Sequence, residues 1–294
     1  MKPAQKRLAF FFTSVLYSSA LGAIYLVARP HSSAEQPWQN SPPAYLGFDR
    51  NEYPGDAYLP ALKQSFAFAG FWLNAPPGAR SNSWEKKRTI LRQAGFGFLV
   101  LFNGRSARQL KFPADAGALA AADAHDAAQN AQREGFSEGT IIFLDQEEGG
   151  RLLPAQRKYL LDWADGVASA GFGAGVYCSG IPVTEERNQS ITTAEDIHDH
   201  EGSRRISFFV YNDVCPPSPG CAYSRNPPLP STSGIPYADV WQFAQSPQRK
   251  GFAQACPANH YGDGNCYPAA GNSADKIYVD LDSATSADPS AGRR

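Results

Sequence analysis

The chain has 294 residues, with 27 basic and 28 acidic side chains, so it offers no strong field for nucleic acid or an anionic membrane surface. Aromatic residues make up 12%, beside 26 Gly and 23 Pro, a composition that fits a folded, loop-rich protein and excludes a disordered one. The length allows one large domain or two small ones.

The first predicted element is a targeting segment. Lys2, Lys6 and Arg7 precede Leu8–Ala28, a stretch without charge. A basic region followed by an apolar one predicts an export signal over residues 1–28. The stretch is longer than a usual signal core and long enough for a bilayer core of ~30 Å, so it can also stay uncleaved as an N-terminal membrane anchor. Small residues suited to cleavage stand at Ser18–Ala20 and Ser32–Ala34. An exported protein, periplasmic or secreted, is expected. Residues 29–43 (RPHSSAEQPWQNSPP) read as a polar, Pro-rich linker.

A regular alternation follows. Ala44–Asp49 is a short apolar strand, Asp56–Ser65 is helical, and Phe68–Asn74 is the second strand. Trp84–Ala94 has helical spacing with Lys86, Lys87 and Arg88 outward, and Phe96–Asn103 is the third strand. The Ala-rich stretch Ala114–Glu134 is helical, Thr140–Asp145 is the fourth strand, and Pro154–Ala170 is a helix with Pro at its start. Phe172–Cys178 is the fifth strand, Thr184–His200 is polar and partly helical, and Arg205–Tyr211, Ala238–Phe243 and Lys276–Leu281 are the last three strands.

Apolar strands without alternation, separated by helices, predict a parallel sheet covered on both faces. Eight of them in ~250 residues predict an α/β fold, a (β/α)8 TIM-type barrel over residues 44–290. It should be irregular in its C-terminal third, where the helices are weak. An open doubly wound sheet is the alternative. The segment after the first strand, RNEYP, lacks the glycine fingerprint that a nucleotide site there would need. A monomer is expected.

In such a barrel the site lies at the C-terminal strand ends. Read in order, the strands deliver Asp49, Asn74, Asn103, Asp145 with Glu147, Tyr177, Tyr211, Trp241 with Gln242, and Asp280 with Asp282 beyond it. Acids and amides for hydroxyls, with aromatic faces for sugar C–H groups, make up the set that a carbohydrate site wants. Asp145 and Glu147 are two apart, so they share a face of the strand. Two carboxylates so placed raise each other's pKa, which lets one stay protonated as an acid while the other stays ionised. The plainer reading is an exposed acidic turn with Glu148 facing water. A divalent metal site is a third reading, weakened because no His lies at these strand ends.

His198-Asp199-His200-Glu201 reads as a solvated loop, and His125 as a surface residue on the Ala-rich helix. Five cysteines include two close pairs, Cys215–Cys221 and Cys256–Cys266, that bracket loops rich in Pro, Gly and Asn. In an oxidising compartment these read as disulfides. Their spacing does not suit a zinc cluster. Cys178, at the end of an apolar strand, is left as a buried free thiol.

GFD at 47–49, DQE at 145–147, AGVYCSG at 174–180, VWQF at 240–243 and YVDLD at 278–282 resemble the family 25 glycoside hydrolases, lysozyme-like muramidases with a β/α barrel. With SWEKKRTILRQAGFGFLVLFNG at 83–104, the chain is more similar to a divergent relative, the exported glycoside-hydrolase-like domains of bacteria. The resemblance covers roughly residues 44–290. It implies that Glu147 is the general acid, that Asp145 is its partner and orients an N-acetyl group, and that Asp49 and Asp280 are flanking acids. It also implies that Trp241 and Gln242 belong to a Trp-Gln-aromatic strand. After Asp49 the chain reads RNEYPGD, where the lysozymes carry a Ser and an Ile-Asp-Trp turn, so part of the substrate floor differs.

These readings predict an exported hydrolase of cell-wall or related polysaccharide. Glu147, Asp145, Asp49 and Asp280 are catalytic, while Asn74, Asn103, Tyr177, Tyr211, Trp241 and Gln242 bind substrate. No cofactor or metal is required. A catalytically silent glycan-binding barrel and a metal-dependent hydrolase at the same acids are the alternatives.

Overall fold

The computed structural model describes residues 44–110, 112–185, 188–212, 227–245 and 279–293. The expected signal or anchor, the linker and both cysteine pairs lie outside the described residues. Among the described residues, no helix is long and apolar enough to cross a membrane.

β1 (Tyr45–Asp49) leads through a 3-10 turn into α1 (Leu59–Lys63). β2 (Phe68–Trp72) precedes α2 (Arg88–Gln93), β3 (Gly97–Asn103) precedes α3 (Pro113–Glu134), and β4 (Ile141–Gln146) precedes α4 (Pro154–Ser169). β5 (Gly173–Ser179) is followed by a small hairpin of β6 (Val183–Thr184) and β7 (Ser190–Ile191), and then by α5 (Thr193–His200). β8 (Ile206–Tyr211), β9 (Val240–Ala244) and β10 (Asp280–Ala284) complete the set.

Eight strands close into a barrel in the order β1-β10-β9-β8-β5-β4-β3-β2. The α/β barrel expected from the alternation is therefore present, with one correction. β10 runs antiparallel to both of its neighbours, β1 and β9. It also begins at Asp280, where the sequence pattern places a strand ending at Leu281. A parallel strand needs a crossover, usually a helix, to carry the chain back to the barrel floor. Residues 246–278 are rich in Gly, Pro and Asn and show no helical period. An antiparallel strand entering from the mouth needs no such crossover. The result for the site is unchanged in kind, because Asp280, the first residue of β10, pairs directly with Asp49, the last of β1.

The barrel interior is fitted around its acids. A Cβ on Gly70 of β2 would lie 2.5 Å from Cβ of Asp49, so only glycine leaves that carboxylate its place. Outside the sheet, α3 buries Ala116, Ala120, Ala124, Ala127 and Ala131. Small side chains let α4 approach closely, since a methyl on Gly166 would sit 2.7 Å from Cβ of Ala124. α3 stops at Gly135, which takes φ 85°, a left-handed cap that glycine adopts without a Cβ penalty. Arg88, expected to face outward, is instead buried. Its guanidinium lies 4.7 Å from the Phe136 ring centre and donates to Gly292 O at 2.8 Å. Helical period alone cannot foresee a C-terminal tail that covers this face.

That tail closes the barrel floor. Phe98 N donates to Asp288 Oδ1 and Val100 N to Ser290 Oγ, both at 2.8 Å, while Ile141 N donates to Ser290 O at 2.9 Å. Asp288 also accepts from the backbone N–H groups of Gly292 and Arg293. Asp288→Ala leaves three N–H groups without their acceptor and is expected to cost about 1–3 kcal/mol. A thermal melt checks this: the midpoint should fall, and an unchanged midpoint would show that the tail does not brace the floor.

Candidate active site

At the mouth lies a cavity of about 540 Å³. Asp49, Asp145, Glu147 and Asp280 all line it, together with Trp72, Tyr177, Phe209, Gln242 and Gln245. The loop after β1 contributes Arg50, Asn51 and Glu52. This loop is held by two indoles, since Trp72 Nε1 donates to Arg50 O at 3.1 Å and Trp84 Nε1 to Asn51 O at 3.0 Å. Among the described residues, five carboxylates therefore face one guanidinium across the lining.

Their environments differ. Asp145 is 7% exposed, and among the described residues its Oδ1 meets no hydrogen-bond donor. Burial, followed by the nearby charges of Glu147, Asp49 and Glu148, pushes its pKa well above the usual carboxylate range. Glu147, just beyond the end of β4, is exposed at the mouth. Asp49 is buried, which pushes its pKa up to about 6 against the opposing effect of a bond from Gln242. That bond runs from Gln242 Nε2 to Asp49 Oδ2 at 2.8 Å. Asp282, beneath the mouth, is fully buried, and among the described residues neither of its oxygens meets a donor. Two ionised carboxylates can only accept, so Asp49 and Asp282 bond to each other only when one carries a proton. Burial and then the charges of Asp49 and Asp280 hold that proton on Asp282, well above its ordinary range. The mouth thus combines buried acids whose hold on a proton is raised with an exposed acidic side chain at its rim. Such a separation of carboxyl groups suits acid–base chemistry.

Raised carboxyl pKa values also set a pH dependence. A group that binds its proton more tightly when folded stabilises the fold at low pH, and that contribution is lost as pH rises through the folded value. For Asp49 the window runs from near 4 to past about 6. The melting midpoint should fall over this window in the wild type and fall less in Asp49→Asn. Parallel profiles would contradict the assignment.

Four residues expected to bind substrate are not among those lining the cavity. Asn74 and Asn103 spend their amides on the scaffold: Asn103 N donates to Asn74 Oδ1 at 2.8 Å, Asn74 Nδ2 to Asn103 O at 3.0 Å, and Asn103 Nδ2 to Ala75 O at 2.8 Å. They lock the ends of β2 and β3 together. Trp241 alternates with the inward Gln242, so it points out of the barrel, is 3% exposed, and donates to Asn212 O at 2.7 Å. Tyr211, at the end of β8, stands off the lining. Tyr177 and Gln242 do line the cavity, joined by a 2.7 Å bond from the Tyr177 hydroxyl to Gln242 Oε1. Glu148, read as facing water, accepts from Ala107 N at 2.6 Å and from Gln146 Nε2, tying the end of β4 to the loop after β3.

Sequence reasoning missed Trp72 and Gln245. Trp72 shares the inward face with Gly70, so strand alternation could have found it. Gln245 could not be found that way, being three residues from Gln242. β9 places Gln242 opposite Asp282 but Ala244 opposite Leu281, a bulge that resets the alternation.

The histidine segment is ordered rather than a solvated loop. Thr192 and Glu195 form a reciprocal cap on α5. His198 stacks on Tyr237 with centroids 4.1 Å apart. Among the described residues, no group of three or more His, Cys, Asp or Glu is arranged to hold a metal ion. His125 is exposed, as expected. Cys178 is a buried free thiol, as expected.

Residues 79–212 match the family model described as Rv2525c-like, glycoside hydrolase-like domain. The likeness to glycoside-hydrolase-like domains drawn from the motifs is thereby shown. Among curated proteins, none matches the chain. Among solved structures, the chain is similar to the Mycobacterium tuberculosis Tat-secreted protein Rv2525c at 14% identity and a TM-score of 0.45, covering 82% of this chain and 95% of that one. It is similar to the Clostridium perfringens spore cortex lytic enzyme SleM at 15% identity and a TM-score of 0.48, covering 83% and 68%. It is also similar to the catalytic domain of endolysin ply40 from a Listeria monocytogenes bacteriophage, at 14% and 0.45, covering 85% and 97%.

Proposed function

We propose that the chain is an exported glycoside hydrolase that cleaves a cell-wall, peptidoglycan-like polysaccharide by carboxylate acid–base chemistry. One observation carries the reading: acids from β1, β10 and the end of β4, far apart in sequence, line one sugar-sized cavity beside Trp72 and Tyr177. The match to a glycoside-hydrolase-like domain supports it. Export rests on the basic and apolar residues 1–28, which act as a signal or an anchor.

Glu147 is the general acid. Its exposed carboxyl at the rim reaches a glycosidic oxygen lying across the mouth. Asp145 stays neutral beneath it and offers a donor to the substrate rather than a second charge. Asp49 and Asp280 supply the negative field that favours positive charge developing at the sugar ring. Tyr177 and Trp72 provide faces for the ring, and Gln242 holds Asp49 in place.

The test is incubation of the full-length protein with muropeptides, purified peptidoglycan and simple polysaccharides, read by mass spectrometry. Shortened glycans from at least one substrate are expected. Retention of a glycan in pull-down, with no product from any substrate, would instead identify a binding barrel.

A further inference from the structure

The segment that carries Glu147 runs into two glycines, and elements that the acid–base assignment leaves unused grip it from the side. Gly149 and Gly150 follow Glu148, and Gly150 takes φ 82°. Glycine leaves a backbone more freedom than any other residue, so an acid next to such a pair is not held by its own chain. Thr193, the first residue of α5, is fully buried against this stretch. Its hydroxyl donates to Gly150 O at 2.8 Å and to Glu148 O at 3.2 Å. A hydroxyl has one proton, so the bond to Gly150 is the main one and Glu148 shares it. Glu148 is also held from the opposite side, since its carboxylate accepts from Ala107 N at 2.6 Å. The hairpin adds a third contact. A methyl on Gly150 would lie 3.3 Å from Cβ of Val183, so Val183 rests against that glycine. Arg151, next in the chain, donates to Glu185 from Nε at 2.8 Å and from Nη2 at 2.9 Å.

We propose that Thr193 is a positioning residue for Glu147: its hydroxyl closes the Gly149–Gly150 hinge and so fixes where the exposed carboxyl stands at the mouth. Gln146, just before Glu147, is the last residue of β4 and is 1% exposed. Glu148, just after it, is bonded from both sides. With both neighbours fixed, the Glu147 side chain keeps only its own rotations. A proton donor must stand within hydrogen-bond reach of the leaving oxygen. A misplacement of about 1 Å can cost up to ~10²-fold in rate. Thr193 is not among the residues lining the cavity, so its effect falls on the chemical step and not on glycan binding. The catalytic consequence rests on the hydrolase reading of Glu147, but the ordering of the loop does not.

Thr193→Val keeps the shape of the side chain and removes its proton, while Thr193→Ser keeps the proton and removes a methyl. In the full chain, Thr193→Val should lower kcat on peptidoglycan by about 10-fold with KM nearly unchanged. Thr193→Ser should recover most of that loss. Asp288→Ala controls for plain destabilisation: it loosens the barrel floor, and well below its melting midpoint it should keep the wild-type kcat. Nitrogen-15 relaxation reads the loop without any substrate. Order parameters of Glu148, Gly149 and Gly150 should be about 0.85 in the wild type and in Thr193→Ser, and fall to about 0.6 in Thr193→Val, with β4 unchanged. Wild-type kcat in Thr193→Val, an equal loss in Asp288→Ala, or no recovery in Thr193→Ser would overturn the proposal. So would a loop equally rigid in Thr193→Val and wild type. If Thr193→Val fails to fold, the wild type decides: rigid values support the closed hinge, and values below about 0.6 overturn it. Should the loop behave as expected while the wild type cleaves no glycan, the clamp stands and the hydrolase reading falls.

Discussion

Glu147→Gln is expected to reduce glycan turnover by about 10²–10⁴-fold, the usual contribution of a positioned general acid. The fold should be untouched. The side chain is exposed, and substitutions at such positions usually stay within about 0.5 kcal/mol. The loss should appear in kcat more than in glycan binding, because the proton is needed in the transition state and not for association. Glu148 is the matched control. It lies next in sequence, yet its carboxylate accepts from Ala107 N and Gln146 Nε2. Glu148→Gln should therefore act through the order of the β3 and β4 loops and lower the melting midpoint, an effect Glu147→Gln should not share. Steady-state kinetics and thermal melts on both variants separate the two roles, and equal turnover in Glu147→Gln and wild type would remove Glu147 from the chemistry.

The largest stability effect is expected at Asp196, far from any sugar. Its carboxylate is fully buried at the start of α5. It accepts from Arg157 Nη2 at 2.9 Å, from Arg151 Nη1 at 3.2 Å and from Leu152 N at 2.9 Å. This single side chain ties α5 to the segment that opens α4. Asp196→Ala strands a buried N–H and removes the carboxylate that Arg157 meets, while Arg151 keeps its pair with Glu185, and breaking a buried ion pair from one side costs up to about 3–5 kcal/mol. At roughly 2–4 °C per kcal/mol for a domain of this size, the melting midpoint should drop by about 6–20 °C. A smaller loss is expected for Asp196→Asn, which keeps one acceptor for Leu152 N. A midpoint that barely moves in Asp196→Ala would show that the pair contributes little net free energy.

The strands were legible because parallel barrel strands are buried on both faces and read as unbroken apolar runs, as in FGFLVLFN and TIIFLD. Acids and amides that interrupt such runs mark the mouth, and Asp49, Asp145 and Gln242 stand there. Asp280 reached the same mouth from a strand running the other way, which an apolar run cannot reveal because it has no direction. What alternation resolves was legible too: Gln242 inward implies Trp241 outward, although sugar chemistry made the indole attractive as a platform. The Asn74–Asn103 clasp was not legible, since an amide at a strand end looks the same whether it meets a ligand or a neighbouring backbone. Gln245 needed the bulge in β9, and the buried Arg88 needed the tail contact from Gly292, both set by distant parts of the chain.

Digestion of purified peptidoglycan in oxygen-18 water, read by mass spectrometry of the products, tests most directly whether these converging carboxylates hydrolyse a glycosidic bond. The wild-type chain should place one oxygen-18 atom at each new reducing end, and Glu147→Gln should place almost none. Unlabelled products, or equal labelling by both proteins, would contradict the account.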